Sequence, residues 1–345
     1  MKQKIRIAQI GAGHDHAGDV FKTLRRLTDE FEVVGYAPVP EDGGVLRPDC
    51  YEGATAYDVD TLLSIPDLDA VAVETFDLAL VPYAQKAAEK GLSVYMDKPG
   101  SEDAESFERM LSTVKAHGRV FGIGYLYRCN RGVQAALQTA REGKIGRVYA
   151  VEAQMNCDYT YDKRQWLARF KGGMAFYLGS HLVDLIHAFM GVPDEIIPCG
   201  TRTGLFGTTS LDYGFAVFRY GDGLSFLNAA MTEPGGFERR QLVVCGELGT
   251  LELRPLEWYV DDTRLTTVTR SCIRPDPAEL YPWPQKGEIT RSAPATRYEA
   301  LLRDFAARVR TGKMPDGAWE REARVHRMLL AACGLPCDYK APISL

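Results

Sequence analysis

The sequence predicts two units of different class: an α/β unit on a doubly wound parallel sheet over residues 1–125, and an α+β unit over 126–345 on a large open mixed, mainly antiparallel sheet. Three observations predict it. An apolar strand at 5–10, IRIAQI, runs into Gly11 and Gly13 and then into Ala17, Val20, Phe21, Leu24 and Leu27, whose spacing makes one apolar helical face. Up to residue 124 short β-branched runs alternate with helical periods, the pattern of strand–helix–strand units. Beyond 145 the runs become longer and alternate apolar with polar, joined by turns such as Tyr220-Gly221-Asp222-Gly223, the spacing of hairpins.

In the first unit, strands are expected at 31–36, 68–75, 92–99 and 119–125, with helices at 79–91 and 101–118. The second of these helices has Ser101 as its expected N-cap, Glu102, Asp103 and Glu105 at its positive end, and Gly118 as its stop. The second unit reads as strands at 148–155, 213–220, 223–231, 239–246 and 249–255. Residues 171–191 predict one helix, entered through paired glycines and ended by Gly191. Helices at about 296–311 and 318–332 close the chain and can pack back on the first unit.

A length of 345 residues, 46% hydrophobic and 25% charged, is ordinary composition for a globular chain of two domains. A formal net charge of −5 without a basic cluster argues against a nucleic-acid partner, which needs concentrated Lys and Arg. The apolar start is too short for a secretory leader, and no run approaches the ~18 apolar residues of a membrane span, so no membrane partner and a cytoplasmic location are expected. The eight cysteines are scattered, and Cys333 and Cys337 do not form a CxxC, so neither a disulfide framework nor a zinc knuckle is expected. An open sheet face is a frequent self-association surface, so a homodimer or homotetramer through the C-terminal sheet is expected.

Several positions put chemistry-bearing groups where ligands bind. Gly11 suits a tight turn, and Gly13 suits close approach of a pyrophosphate to a helix N-terminus; the third small residue is displaced, with His16 in its place and Ala17 and Gly18 behind. His14 and His16 either flank that phosphate or cap the helix. Asp97-Lys98-Pro99 ends an apolar strand at the edge where open α/β sheets bind ligands, so Lys98 either hydrogen-bonds a substrate hydroxyl or is a solvated loop lysine. Tyr177, His181 and Asp184 fall at i, i+4 and i+7, a polar stripe whose members either line a cleft or satisfy one another. Histidine is the side chain most easily poised as an acid/base near neutral pH, and a carboxylate one turn away can orient it. His187 extends this set, but no second ligand cluster supports it, and no metal is expected. Tyr125, Arg128, Tyr161, Arg164 and Trp166, with Tyr127, Asn130 and Tyr159 beside them, either contact a polyhydroxylated substrate or pack locally.

The order of a GxG turn, a strand ending in carboxylate-Lys-Pro, a GG…GxHxxD helix and Cys245-Gly246-Glu247-Leu248-Gly249-Thr250-Leu251 resembles the glucose-fructose oxidoreductase / myo-inositol dehydrogenase (Gfo/Idh/MocA) family. The resemblance implies a Rossmann domain and NAD(P)-dependent hydride transfer to or from a secondary hydroxyl or ketone of a sugar, polyol or glycoside. It matches Lys98 to the family's cleft lysine, His181 to its catalytic histidine and Asp184 to the acid three residues later, giving Lys98, His181, Tyr177 and Asp184 as the catalytic set. Gly11, Gly13, His14, His16, Thr75, Asp97 and Lys98 are the implied cofactor set, with NAD ahead of NADP. The chain departs from the pattern at three places. Tyr177 stands where the family commonly has an aspartate. The second strand lacks an acid near Pro38, the first being Glu41. Thr75-Phe76-Asp77 lacks the family's Pro and His. These departures leave room for a nucleotide recycled within one catalytic cycle, and for a different class altogether, a non-catalytic sugar or nucleotide sensor.

Overall fold

The computed structural model describes residues 3–281 and 286–345, which fall into two compact units. One comprises residues up to Tyr125 with Tyr298–Arg324 and Pro342–Leu345; the other comprises Leu126–Arg297 and Val325–Ala341. Among the described residues no helix is long and apolar enough to cross a membrane.

The first unit is built as β1 (Ile5–Ile10), α1 (Ala17–Arg26), β2 (Phe31–Ala37), α2 (Val59–Leu63), β3 (Ala70–Val73), α3 (Leu80–Glu89), β4 (Ser93–Met96), α4 (Ala104–Ala116) and β5 (Phe121–Ile123). Its strands are all parallel in the order β2-β1-β3-β4-β5. Every residue of β3, β4 and β5 is buried, as a parallel sheet covered on both faces requires. The chain leaves β1 for β2 on one side and reaches β3 on the other, so the switch point lies between β1 and β3, where open α/β sheets place ligands at their carboxyl ends. Those ends carry Gly11, Glu74 and Asp97. The N-cap of α4 is Asp103, whose carboxylate accepts the Glu105 and Ser106 N–H groups, rather than the expected Ser101. The Ser101 hydroxyl instead accepts the Asp103 N–H, which starts the helix two residues later.

The second unit contains α5 (Arg131–Arg141), β6 (Val148–Gln154), α6 (Tyr161–Leu167), α7 (Gly173–Tyr177), α8 (Gly179–Met190), β7 (Glu195–Pro198), β8 (Tyr213–Tyr220), β9 (Gly223–Ala230), β10 (Gln241–Gly246) and β11 (Gly249–Leu253). Short strands β12 (Trp258–Tyr259), β13 (Arg264–Thr266), β14 (Val268–Ile273), β15 (Glu288–Arg291) and β16 (Ala295–Thr296) follow, then α9 (Glu299–Thr311), which belongs to the first unit, and α10 (Ala318–Ala332). The main sheet runs β15-β14-β11-β10-β6-β9-β8-β7; β6 pairs parallel with β9 and every other pair is antiparallel. Strands β8 to β10 alternate buried with half-buried residues, so one face meets helices α7 and α8 while the other stays open.

The single helix expected over 171–191 is interrupted at Leu178, which separates α7 from α8. The Ser180 hydroxyl donates to the Tyr177 carbonyl, and the His181 N–H bonds the Leu178 carbonyl three residues back, so a side chain competes with the helical ladder and tightens the turn.

Candidate functional site

Chemistry-bearing side chains gather in one cluster per unit. In the first, the turn after β1 is shaped by its neighbours. Gly11 has φ +93°, and a Cβ there would lie 2.5 Å from the Thr75 backbone nitrogen. At Gly13 a Cβ would lie 2.4 Å from the Cβ of Asp42. The Asp42 carboxylate accepts the Ala12 N–H at 2.8 Å, the Thr75 hydroxyl at 2.8 Å and the Phe76 N–H at 3.0 Å. This acid, one residue beyond Glu41, reaches back to clamp the glycine turn against the end of β3. Gly18 meets Cys50, a Cβ there lying 2.6 Å from its sulfur, so close helix packing is supplied two residues after the usual third position. The start of α1 has no side-chain cap; backbone carbonyls serve it instead, His14 accepting the Ala17 N–H at 3.1 Å and His16 the Asp19 N–H at 3.0 Å.

Beside the turn six ionisable side chains converge. His14 Nδ1 lies 3.0 Å from Asp97 Oδ2, His16 Nδ1 lies 2.8 Å from the same oxygen, and His14 Nε2 faces Asp77 Oδ2 at 3.4 Å. His14, Glu74, Asp77, Asp97 and Lys98 are buried. Burial alone would lower the His14 pKa, but Asp77 and Asp97 outweigh it and raise it to about 10. Burial pushes Asp97 up, yet the two histidines hold it well below the ordinary carboxylate range. Burial, and then the Asp97 charge, push the Glu74 carboxyl well above the ordinary glutamate range. His16, its side chain 21% exposed, is lowered chiefly by desolvation. The cluster therefore holds an imidazolium at His14 between Asp77 and Asp97. Lys98 is wholly buried rather than a solvated loop lysine.

The second cluster is centred on α8. His181 is 4% exposed and meets the Tyr127 ring edge-on at 5.1 Å between centroids. The Tyr127 hydroxyl donates to Glu257 Oε2 at 2.6 Å, and Arg240 and Arg297 each donate to the same carboxylate at 2.9 Å. Burial would raise Glu257, but Arg297 and Arg240 keep it below the usual glutamate value, while burial and Glu257 push the Tyr127 phenol up. Arg240 also donates to the Cys157 sulfur at 2.8 Å. Asp184 is gripped by Arg128, Nε lying 2.9 Å from each carboxylate oxygen and Nη2 2.6 Å from Oδ1. Asp184 is thus satisfied by Arg128, from outside the polar stripe.

Tyr177 points elsewhere. Its ring stacks on Phe170, meets Trp166 and Tyr159 edge-on, and has the Lys163 ammonium 5.0 Å from its centroid. Arg164 is ion-paired with Asp158 at 2.9 Å and lies over Phe206, whereas Tyr161 is exposed and Tyr125 is buried. Sequence reasoning missed Asp42, Glu74, Arg240 and Glu257, each brought to its cluster from a distant element. An acid on a 3-10 turn after β2 was the one visible signal, for Asp42.

A doubly wound parallel sheet with a glycine turn, joined to an open mixed sheet whose covering helix carries a buried histidine, defines a class of two-unit α/β proteins. Residues 133–252 match the family model described as the GFO/IDH/MocA C-terminal domain, so the second unit carries that family's C-terminal domain, as the order of motifs suggested. The 2,7-anhydro-N-acetylneuraminate hydratase of Mediterraneibacter gnavus is 31% identical over 166 residues, 47% of this chain and 44% of that protein. The inositol 2-dehydrogenase of Agrobacterium fabrum is 28% identical over 158 residues, 43% and 45% of the two chains. The chain thus spans less than half the length of these relatives in the matched stretch. Among solved structures, a 3-ketoreductase from Actinomadura kijaniata, in complex with TDP-benzene and NADP, superposes with a TM-score of 0.75 at 17% identity, covering 95% of this chain and 96% of the other, a likeness of fold.

Proposed function

We propose that the chain is an NAD(P)-dependent oxidoreductase acting on a secondary hydroxyl or its ketone in a sugar, polyol or glycoside. The observation that carries this reading is the carboxyl edge of the parallel sheet, where a glycine turn, a helix N-terminus without a side-chain cap and a buried lysine lie together. The names of the relatives, an inositol dehydrogenase and a ketoreductase bound to NADP, support it. The residues fit a nucleotide: Gly11, Gly13 and the positive end of the α1 dipole suit its pyrophosphate, and Thr75, Asp97 and Lys98 stand at the carboxyl ends of the strands where such sheets bind ligands. When bound, it supplies or accepts hydride.

The chain's own groups handle the proton and the orientation. His181 carries the proton of the reacting hydroxyl, with its ring held by Tyr127. In the first unit, Lys98 is the group suited to hydrogen-bond a substrate oxygen and stabilise alkoxide charge. Tyr177 supports the aromatic wall formed with Trp166, and Asp184 acts through Arg128, which it orients, rather than by touching substrate. His14 and His16 stand as parts of the ion cluster beside the turn. Tyr125, Tyr161 and Arg164 remain the further substrate contacts of this reading. Self-association uses the open sheet face, where Phe215 stacks on Phe226 and Leu224 is exposed.

The relative named a hydratase favours a second form, in which water is added or removed and the nucleotide leaves the cycle as it entered. Mass spectrometry of the denatured protein tests the common premise: co-purified NAD(H) or NADP(H), or nucleotide binding by calorimetry, is expected. No nucleotide by either route overturns the reading. A panel of polyols and anhydro sugars then separates the two forms, net nucleotide reduction marking the dehydrogenase and product without net reduction marking the hydratase.

A further inference from the structure

We infer that the first unit contains a divalent transition-metal site formed by His14 Nδ1, His16 Nδ1 and Asp97 Oδ2. The three atoms lie within 4.8 Å of one another, and both nitrogens face one carboxylate oxygen at 3.0 and 2.8 Å. Ligand atoms bound at ~2.0–2.1 Å to one ion stand about 2.9–3.4 Å apart in octahedral or tetrahedral sites, so the two His–Asp separations are close to coordination spacing and the ion draws the two imidazoles together.

Two further features point to a cation. The far nitrogen of His14, Nε2, faces the buried carboxylate of Asp77 at 3.4 Å. A carboxylate behind an imidazole is the arrangement that orients the ring in metal sites; the other nitrogen, Nδ1, accepts the His16 N–H at 3.2 Å, a contact the ion displaces together with the ring's proton. Independently, Glu74 is fully buried at the end of β3, and neither of its oxygens hydrogen-bonds a described group. A buried carboxyl without hydrogen-bond partners is costly, and a positive ion beside it offsets that cost.

Two imidazoles and one carboxylate form a set that suits zinc and its first-row neighbours and leaves coordination positions open, in contrast to closed structural sites. The ligands come from His-x-His in the turn after β1 and from the residue following β4, so the same turn that suits a phosphate presents the two imidazoles. The partly exposed His16 is the route by which an ion and an oxygen ligand enter. The site goes beyond the sequence expectation of no metal and shares Asp97 with the proposed nucleotide site, so metal binding is measured without nucleotide.

The test is calorimetric titration of the full chain with Zn²⁺ after removal of metal by a chelator. Binding of one ion per chain is expected, with proton release seen as a dependence of the heat on buffer ionisation. His16→Gln, at a partly exposed position, weakens binding by at least about a hundredfold, His14→Gln does likewise, and His117→Gln on α4's exposed end leaves it unchanged. Circular dichroism establishes that each variant is folded. Should His14→Gln fail to fold, His16→Gln and the wild-type Co²⁺ spectrum decide: visible ligand-field bands without thiolate charge transfer are expected. A folded wild type that binds no Zn²⁺, unaltered binding by His16→Gln, or a thiolate spectrum locating the ion on cysteine each overturn the site.

Discussion

Replacing Glu257 by glutamine isolates the ion network beneath His181. The glutamate is 2% exposed and serves three donors, Tyr127, Arg240 and Arg297. Glutamine keeps the shape and one acceptor oxygen but removes the charge, and its amide presents N–H groups to guanidinium donors. The Arg240 side chain is 9% exposed and cannot recover water, whereas Arg297 at 25% can turn outward, so Arg240 dominates the cost. Stranding one buried charge costs ~3–5 kcal/mol, and the lower end applies here because the Cys157 sulfur still accepts from Arg240. At ~2–4 °C per kcal/mol for a unit of this size, about 3 kcal/mol lowers its melting temperature by roughly 6–12 °C. The arginines hold the Glu257 pKa below its unfolded value of about 4.3, so the stabilisation is complete above that value and lost as pH falls through the lower folded pKa. Calorimetric scans of wild type and Glu257→Gln should therefore show a constant gap from neutral pH down to about 5 and a narrowing gap below 4. A variant melting within about 2 °C of wild type at neutral pH, or a gap that persists in acid, would refute the assignment of charge in this network.

Three other outcomes are expected. His181→Ala lowers turnover by roughly two to four orders of magnitude while nucleotide affinity, read by calorimetry, stays within a factor of about two; unchanged turnover removes His181 from proton transfer. Arg128→Lys cannot reproduce the guanidinium's grip on Asp184, so steady-state kinetics should show KM rising about tenfold with kcat little changed. Gly13→Ala drives a methyl into Asp42 and destabilises the chain by ~1–3 kcal/mol in chemical denaturation. That cost should fall only in part in the Asp42→Gly background, because the Asp42 backbone oxygen at 2.8 Å and Cα at 2.9 Å still meet the methyl; complete relief there would mean that the side chain alone excludes it.

What the sequence made legible was local. The apolar run of β1, the glycine turn and the facing residues of α1 lie within some twenty positions, and the strands β8 and β9 announce themselves by alternation around a tight turn. The site residues it showed were those inside such segments: Lys98 after β4, His181 and Asp184 on α8. The clusters that give these residues their surroundings were not legible, because sheet register assembles them from distant positions. Glu74 and Asp97 meet because β3 pairs with β4, and His14 joins them because β1 lies beside β3. Glu257 follows β11, far along the chain from Tyr127, and no spacing pattern connects them. The break at Leu178 was hidden for another reason: Ser180 is as acceptable within a helix by pattern as it is disruptive by hydrogen bonding.

The place of β6 in the second sheet has a consequence for how the chain reaches its native state. Strands β7, β8 and β9 form one antiparallel ribbon and β10, β11, β14 and β15 another, and the two ribbons are joined only through β6, which precedes both in the chain. Hairpins such as β8–β9 and β10–β11 close short loops and can form early, whereas the parallel β6–β9 pairing bridges residues such as Glu152 and Phe226 across some seventy positions. Until β6 docks, β9 and β10 each present a bare edge, the kind that pairs promiscuously with other chains. Strand order thus makes late insertion of an early-synthesised strand the step on which soluble yield depends, and weakening β6 should show first as aggregation during refolding rather than as a lower melting temperature.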